Sequence, residues 1–345
     1  MIGKPAPEIE NALPGAKRAF RRAILDWFRG CAEDYPWRRT TDPYAILVSE
    51  MMLQQTQVAT VLGRRYFERW MEAFPDLQAL ATADEDAVLK AWEGLGYYSR
   101  ARNLQKAART IVSEYGGNFP DSLRQIESLP GIGRYTAGAV ASFAFNVAAP
   151  VVDANVARVL ARLFNFQEEI DAPGGREQLW DWAADLVSPR RAWEYNAGVM
   201  ELGQKLCRAR APRCECCPVS RFCASPTPEV LPRKRPRTKT VVLDEHVFFA
   251  NRDGRILLQQ ETGRRRKGLW KLPAAPDEAA PVIVKLAYSI THHRVTLYVH
   301  AIDGAADDGD RLADGRWFAP AEIAEIAMPS PYRKALEAAL AVEVR

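Results

Sequence analysis

The chain has 345 residues with a formal net charge of +4, and 48% of its residues are hydrophobic. That length allows one to three domains with hydrophobic cores of their own, which excludes the class of small disulfide-stabilised secreted domains. Because it holds neither an apolar run of about 18 residues nor an amino-terminal run of signal-peptide length, we expect a cytoplasmic protein with no membrane partner.

The first 225 or so residues are predicted to be helical. Near the amino terminus, apolar residues recur at helical spacing: Phe20, Ile24, Trp27 and Phe28. Asp42 followed by Pro43 is typical of a helix start, with an N-cap residue and then a proline at the first helical position. The helical pattern continues from there to Phe74, and a later helix is predicted to follow Asp153.

Glu50 lies inside the helix that is predicted to begin at Pro43. Its neighbours on the helix surface are Ile46, Leu47 and Leu53. A carboxyl group among such side chains is partly desolvated, which raises its pKa and makes it a candidate general acid at neutral pH. The alternative is a glutamate at the edge of the apolar face that reaches solvent.

Two glycine-containing segments follow. Residues 94–108 combine a glycine turn, the tyrosines Tyr97 and Tyr98, and several basic residues. This combination suits an aromatic wedge that enters DNA beside a phosphate-contacting helix. A helix with a buried pair of tyrosines would have the same pattern. Residues 129–140 hold Gly131 and Gly133 between two helical segments. Backbone N–H groups exposed at such a turn form an anion site, although an ordinary turn between two helices has the same pattern.

Asp153 precedes a clear apolar helix and is predicted to be its N-cap, held ionised by backbone N–H groups and the helix dipole. A plain structural cap is the alternative reading. One carboxyl with a raised pKa and another with a lowered pKa is, however, the pattern by which paired acids divide catalytic roles.

Five of the six cysteines lie within residues 207–223. Four of them have the spacing C-x6-C-x2-C-x5-C: Cys207, Cys214, Cys217 and Cys223. Clustered thiols in a reducing compartment indicate metal or redox chemistry, and the spacing alone leaves zinc and an iron–sulfur cluster both open. Between Lys205 and Lys239 there are ten Lys or Arg residues against two Glu, which suits a DNA backbone or a solvated basic surface.

The composition changes over residues 226–240, where prolines and basic residues predict a linker. Two apolar runs around Asp253-Gly254, a second strand-rich region at residues 284–302 and a closing helix follow. We therefore predict a multidomain protein: an all-α domain over residues 1–225, a linker over 226–240 and an α+β domain over 241–345.

Long motifs give the chain a family resemblance. The helix-hairpin-helix segment of residues 123–140, the "VVDANVARVLAR" segment after it and the four-cysteine loop together resemble the endonuclease III superfamily of base-excision glycosylases. "SEMMLQQTQV" and "GLGYYSRARNL" narrow the resemblance to the MutY family of adenine DNA glycosylases. The resemblance covers nearly the whole chain and is weaker after residue 240.

The resemblance implies excision of adenine paired with 8-oxoguanine or guanine in double-stranded DNA by a nucleoid-associated, monomeric enzyme with a 4Fe–4S cluster on the four cysteines. It implies that Glu50 protonates the flipped adenine and that Asp153 stabilises the oxocarbenium-like sugar. It gives supporting roles at the site to Tyr135 and Asn155. It assigns DNA or base contacts to a further set: Trp37, Arg38, Gln55, Tyr97, Gly131 and Gly133.

The resemblance also indicates whether the enzyme only removes the base or also cuts the DNA strand. Bifunctional relatives carry a nucleophilic lysine where this chain has Tyr135, so a monofunctional glycosylase is implied. The last domain resembles the family's Nudix-like 8-oxoguanine-reading domain but lacks the carboxylate helix of Nudix hydrolases. Two departures from the family pattern stand out. In the loop that reads the damaged base, Ile290-Thr291-His292 stands where the family often has Phe-Ser-His. After Asn196, Ala197 stands where the family often has a Gln or Glu that contacts adenine. The alternatives are another mismatch glycosylase of the superfamily and a non-enzymatic DNA-binding module.

Overall fold

The computed structural model of the chain describes residues 16–236, 238–263, 266–275, 280–301 and 315–343. Three regions that the sequence analysis uses lie outside these ranges: residues 1–15 at the amino terminus, Arg237 of the predicted linker and residues 276–279 of the Nudix-like segment. The chain divides into two units: residues up to Gln55 with Thr110–Pro236, and Thr56–Arg109 with the described residues after Pro236.

Helices account for the first unit and begin the second. In chain order they are α1 (Lys17–Cys31), α2 (Pro43–Leu53), α3 (Val58–Gly63), α4 (Tyr66–Ala73), α5 (Leu77–Thr82), α6 (Glu85–Ala91), α7 (Ser99–Glu114), α8 (Leu123–Ser128), α9 (Arg134–Phe145), α10 (Ala154–Leu163), α11 (Pro173–Leu186) and α12 (Ala192–Lys205), followed after the sheets by α13 (Pro320–Glu325) and α14 (Ser330–Glu343). Short 3₁₀ helices lie at Pro36–Arg38, Cys214–Cys216, Ser220–Phe222 and Pro228–Val230.

The predicted start of α2 is confirmed. The Asp42 side chain accepts hydrogen bonds from the backbone N–H groups of Tyr44 and Ala45, and Pro43 is at the first helical position. The helical pattern up to Phe74 is interrupted, however, because Gln55 and Arg65 have positive φ angles of 59° and 52°. A right-handed helix cannot pass through that backbone conformation, so three helices stand where the pattern is continuous.

The core of the first unit is built by α1, α10, α11 and α12, whose apolar faces meet around Phe20, Leu160 and Trp182. The helix α2 packs against α9 and is buried along nearly its whole length. This packing explains why a polar residue on α2 is removed from water on every side. No helix among the described residues is both long and apolar enough to cross a membrane.

Two sheets lie in the second unit. Their strands are β1 (Val241–Phe249), β2 (Asn251–Arg252), β3 (Arg255–Gln260), β4 (Trp270–Lys271), β5 (Val282–Ile290), β6 (His293–Ala301) and β7 (Gly315–Phe318). One sheet has the order β1-β6-β5, with β1 parallel to β6, and in the other β3 lies between β2 and β4 and also pairs with β7. The predicted turn is confirmed, because Asp253 and Gly254 join β2 to β3 with φ angles of 51° and 77°. The predicted order of helical and α+β regions is thus confirmed.

The predicted domain boundaries differ from these units in two places. Thr56–Arg109 groups with the sheets, where Arg333 binds the Glu93 carboxylate through Nε at 2.8 Å and Nη2 at 3.1 Å. The first part of the predicted linker belongs to the helical unit, since the backbone N–H of Arg235 donates to the Asp171 carboxylate at 3.0 Å. Sequence composition shows neither contact, because both join distant residues.

Candidate active site

Glu50 is buried on α2, with only 4% of its surface exposed. The Tyr135 hydroxyl, on the first turn of α9, donates a hydrogen bond to Glu50 Oε2 at 2.8 Å. Burial raises the pKa of Tyr135 well above its usual value, so the hydroxyl keeps its proton and remains a donor. The structure therefore excludes the alternative in which Glu50 reaches solvent.

The pKa of Glu50 is raised to about 7. Burial is the main cause, and the nearby Asp153 carboxylate adds to it, while the Tyr135 hydrogen bond and the positive charge of Arg38 act in the opposite direction. A carboxyl group with this pKa holds a transferable proton at neutral pH, which is the property that a general acid needs.

Asp153 is the N-cap of α10, as predicted. Its Oδ1 accepts from the backbone N–H of Val156 at 2.7 Å, and its Oδ2 accepts from the Asn155 side chain at 2.8 Å. The predicted lowering of the Asp153 pKa is wrong, because burial raises it despite these hydrogen bonds. Asp153 nevertheless has more donors to its carboxylate than Glu50 has, so it is the better placed of the two to carry a negative charge.

Arg158 joins this carboxylate to the start of the cysteine loop. Its Nη2 donates to Asn155 Oδ1 and to the Gly203 carbonyl, both at 2.8 Å, and its Nε donates to the Cys207 carbonyl at 2.8 Å. The helices α10 and α12 approach so closely here that a Cβ atom on Gly203 would lie 2.7 Å from Asn155 Cβ. The orientation of Asn155, and through it of Asp153, thus depends on the packing of α12.

The four predicted metal ligands line one cavity of about 450 Å³ together with Arg162: Cys207, Cys214, Cys217 and Cys223. Arg162 is 1% exposed, and its guanidinium donates to Cys207 Sγ at 3.3 Å and to the Arg208 carbonyl at 2.7 Å. Cys216 is exposed and is not among the lining residues. Within the described residues, no three His, Cys, Asp or Glu side chains have the arrangement that a single metal ion requires.

The chemistry of these thiols fits a metal centre. Burial raises the pKa of Cys217 to about 11 and also raises those of Cys214 and Cys223, and the neighbouring thiols of the set add to the effect. Thiols that oppose each other's ionisation become thiolates when a metal supplies positive charge. The cavity and its donors therefore fit a thiolate-bound cofactor.

Trp37 and Arg38 lie in the 3₁₀ helix Pro36–Arg38. Trp37 is buried, with its ring 5.2 Å from that of Tyr35. The Arg38 guanidinium lies 4.6 Å from the centre of the Tyr35 ring and donates to Glu201 Oε2 at 2.7 Å. Arg38 lies near enough to lower the pKa of Glu50, which places it at the same site.

The helix-hairpin-helix turn lies between α8 and α9. Gly131 has a φ of 74°, a conformation that a residue with a side chain adopts only with strain, and Gly133 is the N-cap of α9. Both glycines are exposed. The backbone of the turn is therefore exposed to solvent, and the predicted phosphate contact stays a prediction.

The second unit holds a cavity of about 670 Å³. It is lined on one side by residues 94–99, including Tyr97, and on the other by Ile290 and Thr291. His292 follows in the β5–β6 turn but is not among the lining residues. Tyr97, which is 46% exposed, and Thr291 both have positive φ angles, as does Gln55 in the first unit. Positive φ at a residue other than glycine carries backbone strain and is concentrated at functional sites.

Several residues of the site were missed by sequence reasoning. Arg158 and Arg162 hold the cysteine loop, and Glu201 binds Arg38. The spacing of the two arginines, four residues apart on an apolar helix, was an available signal of a shared buried face. Glu201 gives no such signal, because its partner Arg38 is distant in sequence.

Comparison with known proteins places the helical part of the chain in a class of DNA repair proteins. Residues 48–185 match the family model described as "HhH-GPD superfamily base excision DNA repair protein". A thermostable thymine-DNA glycosylase is a structural neighbour, with a TM-score of 0.56 and 29% identity, covering 62% of this chain and 97% of its own.

Two curated relatives narrow the class. The adenine DNA glycosylase of Mycobacterium tuberculosis is 39% identical over 216 residues, which are 62% of this chain and 70% of the relative. The human adenine DNA glycosylase is 46% identical over 214 residues, which are 59% of this chain and 39% of the human protein. The matched region thus spans about two fifths of the human relative. This chain belongs to the MutY family of adenine DNA glycosylases.

Proposed function

We propose that the chain is a monofunctional DNA glycosylase that hydrolyses the N-glycosidic bond of adenine opposite 8-oxoguanine or guanine. The single observation that supports this most is the buried Glu50 carboxyl, with a pKa of about 7 and one hydrogen bond from Tyr135. A purine leaves its sugar more easily once its ring nitrogen is protonated, so a neutral acid beside an anionic carboxylate suits this reaction.

In the proposed mechanism, adenine leaves the duplex and enters the site. Gln55 and Tyr97 each match family residues that push into the duplex while the base is out. Glu50 donates its proton to N7 of the base. The bond between the sugar C1′ and the base breaks, and its electron pair stays with adenine. The Asp153 carboxylate, held by Asn155 and Val156, stabilises the positive charge on the sugar until water adds at C1′ and returns a proton to Glu50.

Tyr135 supports the monofunctional assignment. Its hydroxyl is committed to Glu50 and stays protonated, so it orients the acid rather than attacking the sugar. No Schiff base forms at this position, and strand cleavage is left to alkali or to another enzyme.

We propose that Cys207, Cys214, Cys217 and Cys223 bind a 4Fe–4S cluster. When bound, the cluster holds the loop after α12 in a fixed shape. Arg162 donates to Cys207 Sγ and to loop carbonyls, and thereby joins this loop to α10. Iron and sulfide analysis of purified protein tests the assignment, and zinc in their place at full activity would overturn it.

We propose further that the protein acts as a monomer on duplex DNA in the nucleoid and that residues 241–345, as a Nudix-like domain, select 8-oxoguanine. The cavity between Tyr97 and Thr291 has the volume and the mixed aromatic and polar lining that suit a nucleobase. Trp37, Arg38, Gly131 and Gly133 are assigned to the base pocket and to phosphate contacts.

Single-turnover cleavage of three labelled duplexes tests the proposal: adenine opposite 8-oxoguanine, adenine opposite guanine, and thymine opposite guanine. We expect alkali-dependent cleavage of the first two, with the first preferred. Cleavage of the third alone would favour the thymine-directed alternative, whose structural neighbour is 29% identical. Binding without cleavage would indicate a DNA-binding module.

A further inference from the structure

Glu201, on α12, is a buried residue in two ion pairs for which the proposed mechanism has no step. Only 1% of its surface is exposed. Its Oε2 accepts from Arg38 at 2.7 Å, and its Oε1 lies 2.8 Å from Lys205 Nζ and 3.2 Å from the backbone N–H of Glu33. A carboxylate removed from water needs such partners, and here they also tie α12 to the segment that carries Arg38.

Arg38 is held on several sides. Besides its bond to Glu201, it donates to the Glu33 carbonyl at 3.0 Å, and its guanidinium lies over the rings of Tyr35 and Phe28 at 4.6 Å and 5.4 Å. Two aromatic rings, one carbonyl and one carboxylate thus contact this cation. Among these contacts of Arg38 within the described residues, Glu201 is the one with a carboxylate group.

The charge of Arg38 acts on Glu50. The titratable and charged groups that face Glu50 are Tyr135 from α9, Asp153 from the start of α10 and Arg38 from the 3₁₀ helix. Of these, Arg38 is the positive one, and a positive charge favours the ionised form of a nearby carboxyl. An unpaired Arg38 would therefore lower the pKa of Glu50 and favour loss to solvent of the proton that adenine is to receive.

We propose that Glu201 is a positioning residue for base excision: it fixes the Arg38 guanidinium at the wall of the adenine pocket and neutralises its charge there. The inference rests on the proposed function. Lys205 and Glu33, which are 2.7 Å apart, complete a group of two cations and two carboxylates around Glu201 and Arg38. The group has no net charge while Glu201 is present and a net charge of +1 when it is replaced by glutamine.

The test is the pH dependence of single-turnover adenine release from about pH 5.5 to about pH 9, a range that spans the Glu50 pKa of about 7. In Glu201→Gln, we expect the alkaline limb of the profile to move about one unit to lower pH, so that the rate at high pH falls roughly tenfold while the rate at low pH changes little. In Arg38→Gln the limb should move to higher pH. Glu201→Asp, which restores the charge, should return the limb most of the way.

Glu114→Gln is the control, because it removes an exposed carboxylate that lies outside this group of four charges. We expect its limb to stay in place. An equal loss at every pH in Glu201→Gln, or an unmoved limb, would overturn the inference. Should Glu201→Gln fail to fold, Arg38→Gln decides, since an unmoved limb there has the same meaning. A wild-type protein that releases no adenine from any duplex would instead refute the proposed function.

Discussion

The two units present their functional side chains in opposite surroundings. In the helical unit, Glu50 and Asp153 are enclosed by packed helices and each is fixed by hydrogen bonds from other side chains or the backbone. In the second unit, Tyr97 and Thr291 stand on loops with left-handed backbone and face an open cavity. Buried groups have shifted pKa values and suit bond cleavage, whereas exposed loops suit the reading of a base. We therefore expect changes in the first unit to alter the rate and changes in the second to alter the choice of substrate.

The largest effect is expected from Glu50→Gln, which removes the transferable proton but keeps an acceptor for the Tyr135 hydroxyl. Single-turnover adenine release should fall about 10²- to 10⁴-fold, the contribution of general acid catalysis, while duplex binding is retained. Glu114→Gln, an exposed glutamate at the end of α7, is the control and should keep the wild-type rate. Comparable rates in the two variants would remove Glu50 from the mechanism.

Gly203→Ala should act through geometry alone. The added methyl group would lie 2.7 Å from Asn155 Cβ, so Asn155 must move and release its hold on Asp153. Because misplacement by about 1 Å costs up to ~10²-fold in rate, we expect adenine release to fall roughly ten- to a hundredfold. Gly174→Ala on α11 is the matched control, since a Cβ there meets no atom within 4 Å. Equal rates for both variants would show that this close approach has no role in the reaction.

Glu50 should also make stability depend on pH. Its pKa is about 7 in the folded chain and near 4.5 without burial, so the folded state binds the proton more tightly and loses stability as the pH rises between these values. We expect Glu50→Gln to be more stable than the wild type at pH 8 by on the order of 2 kcal/mol, with the difference shrinking towards pH 5. Thermal melting at both pH values measures this. A constant difference would mean that Glu50 is not the titrating group.

The smallest effect is expected in the second unit. Thr291 lines the cavity and His292 does not, so Thr291→Ala should lower the preference for 8-oxoguanine over guanine by about 1 kcal/mol, and His292→Ala by less. The ratio of single-turnover rates on the two adenine duplexes gives this quantity, and the rate opposite guanine should barely change. A larger effect of His292→Ala would reverse the assignment of these two residues.

Helix starts, caps and tight turns were predictable, because their signals are local. The Asp42-Pro43 start, the Asp153 cap and the Asp253-Gly254 turn each depend on neighbouring residues, and the structure confirms all three. Contacts between distant residues were not predictable. The bond from Arg333 to Glu93, the pairing of Arg38 with Glu201 and the net effect of burial on Asp153 all depend on the packing of separate elements.

The central claim is that a neutral, buried Glu50 supplies the proton for base removal. The most direct test is single-turnover adenine release from a duplex with adenine opposite 8-oxoguanine, measured as a function of pH for the wild type and Glu50→Gln. We predict a rate that falls tenfold per unit above pH about 7 in the wild type, and a slow rate without this limb in the variant. A wild-type rate that stays constant through this range, or a variant that keeps the same limb, would contradict the account.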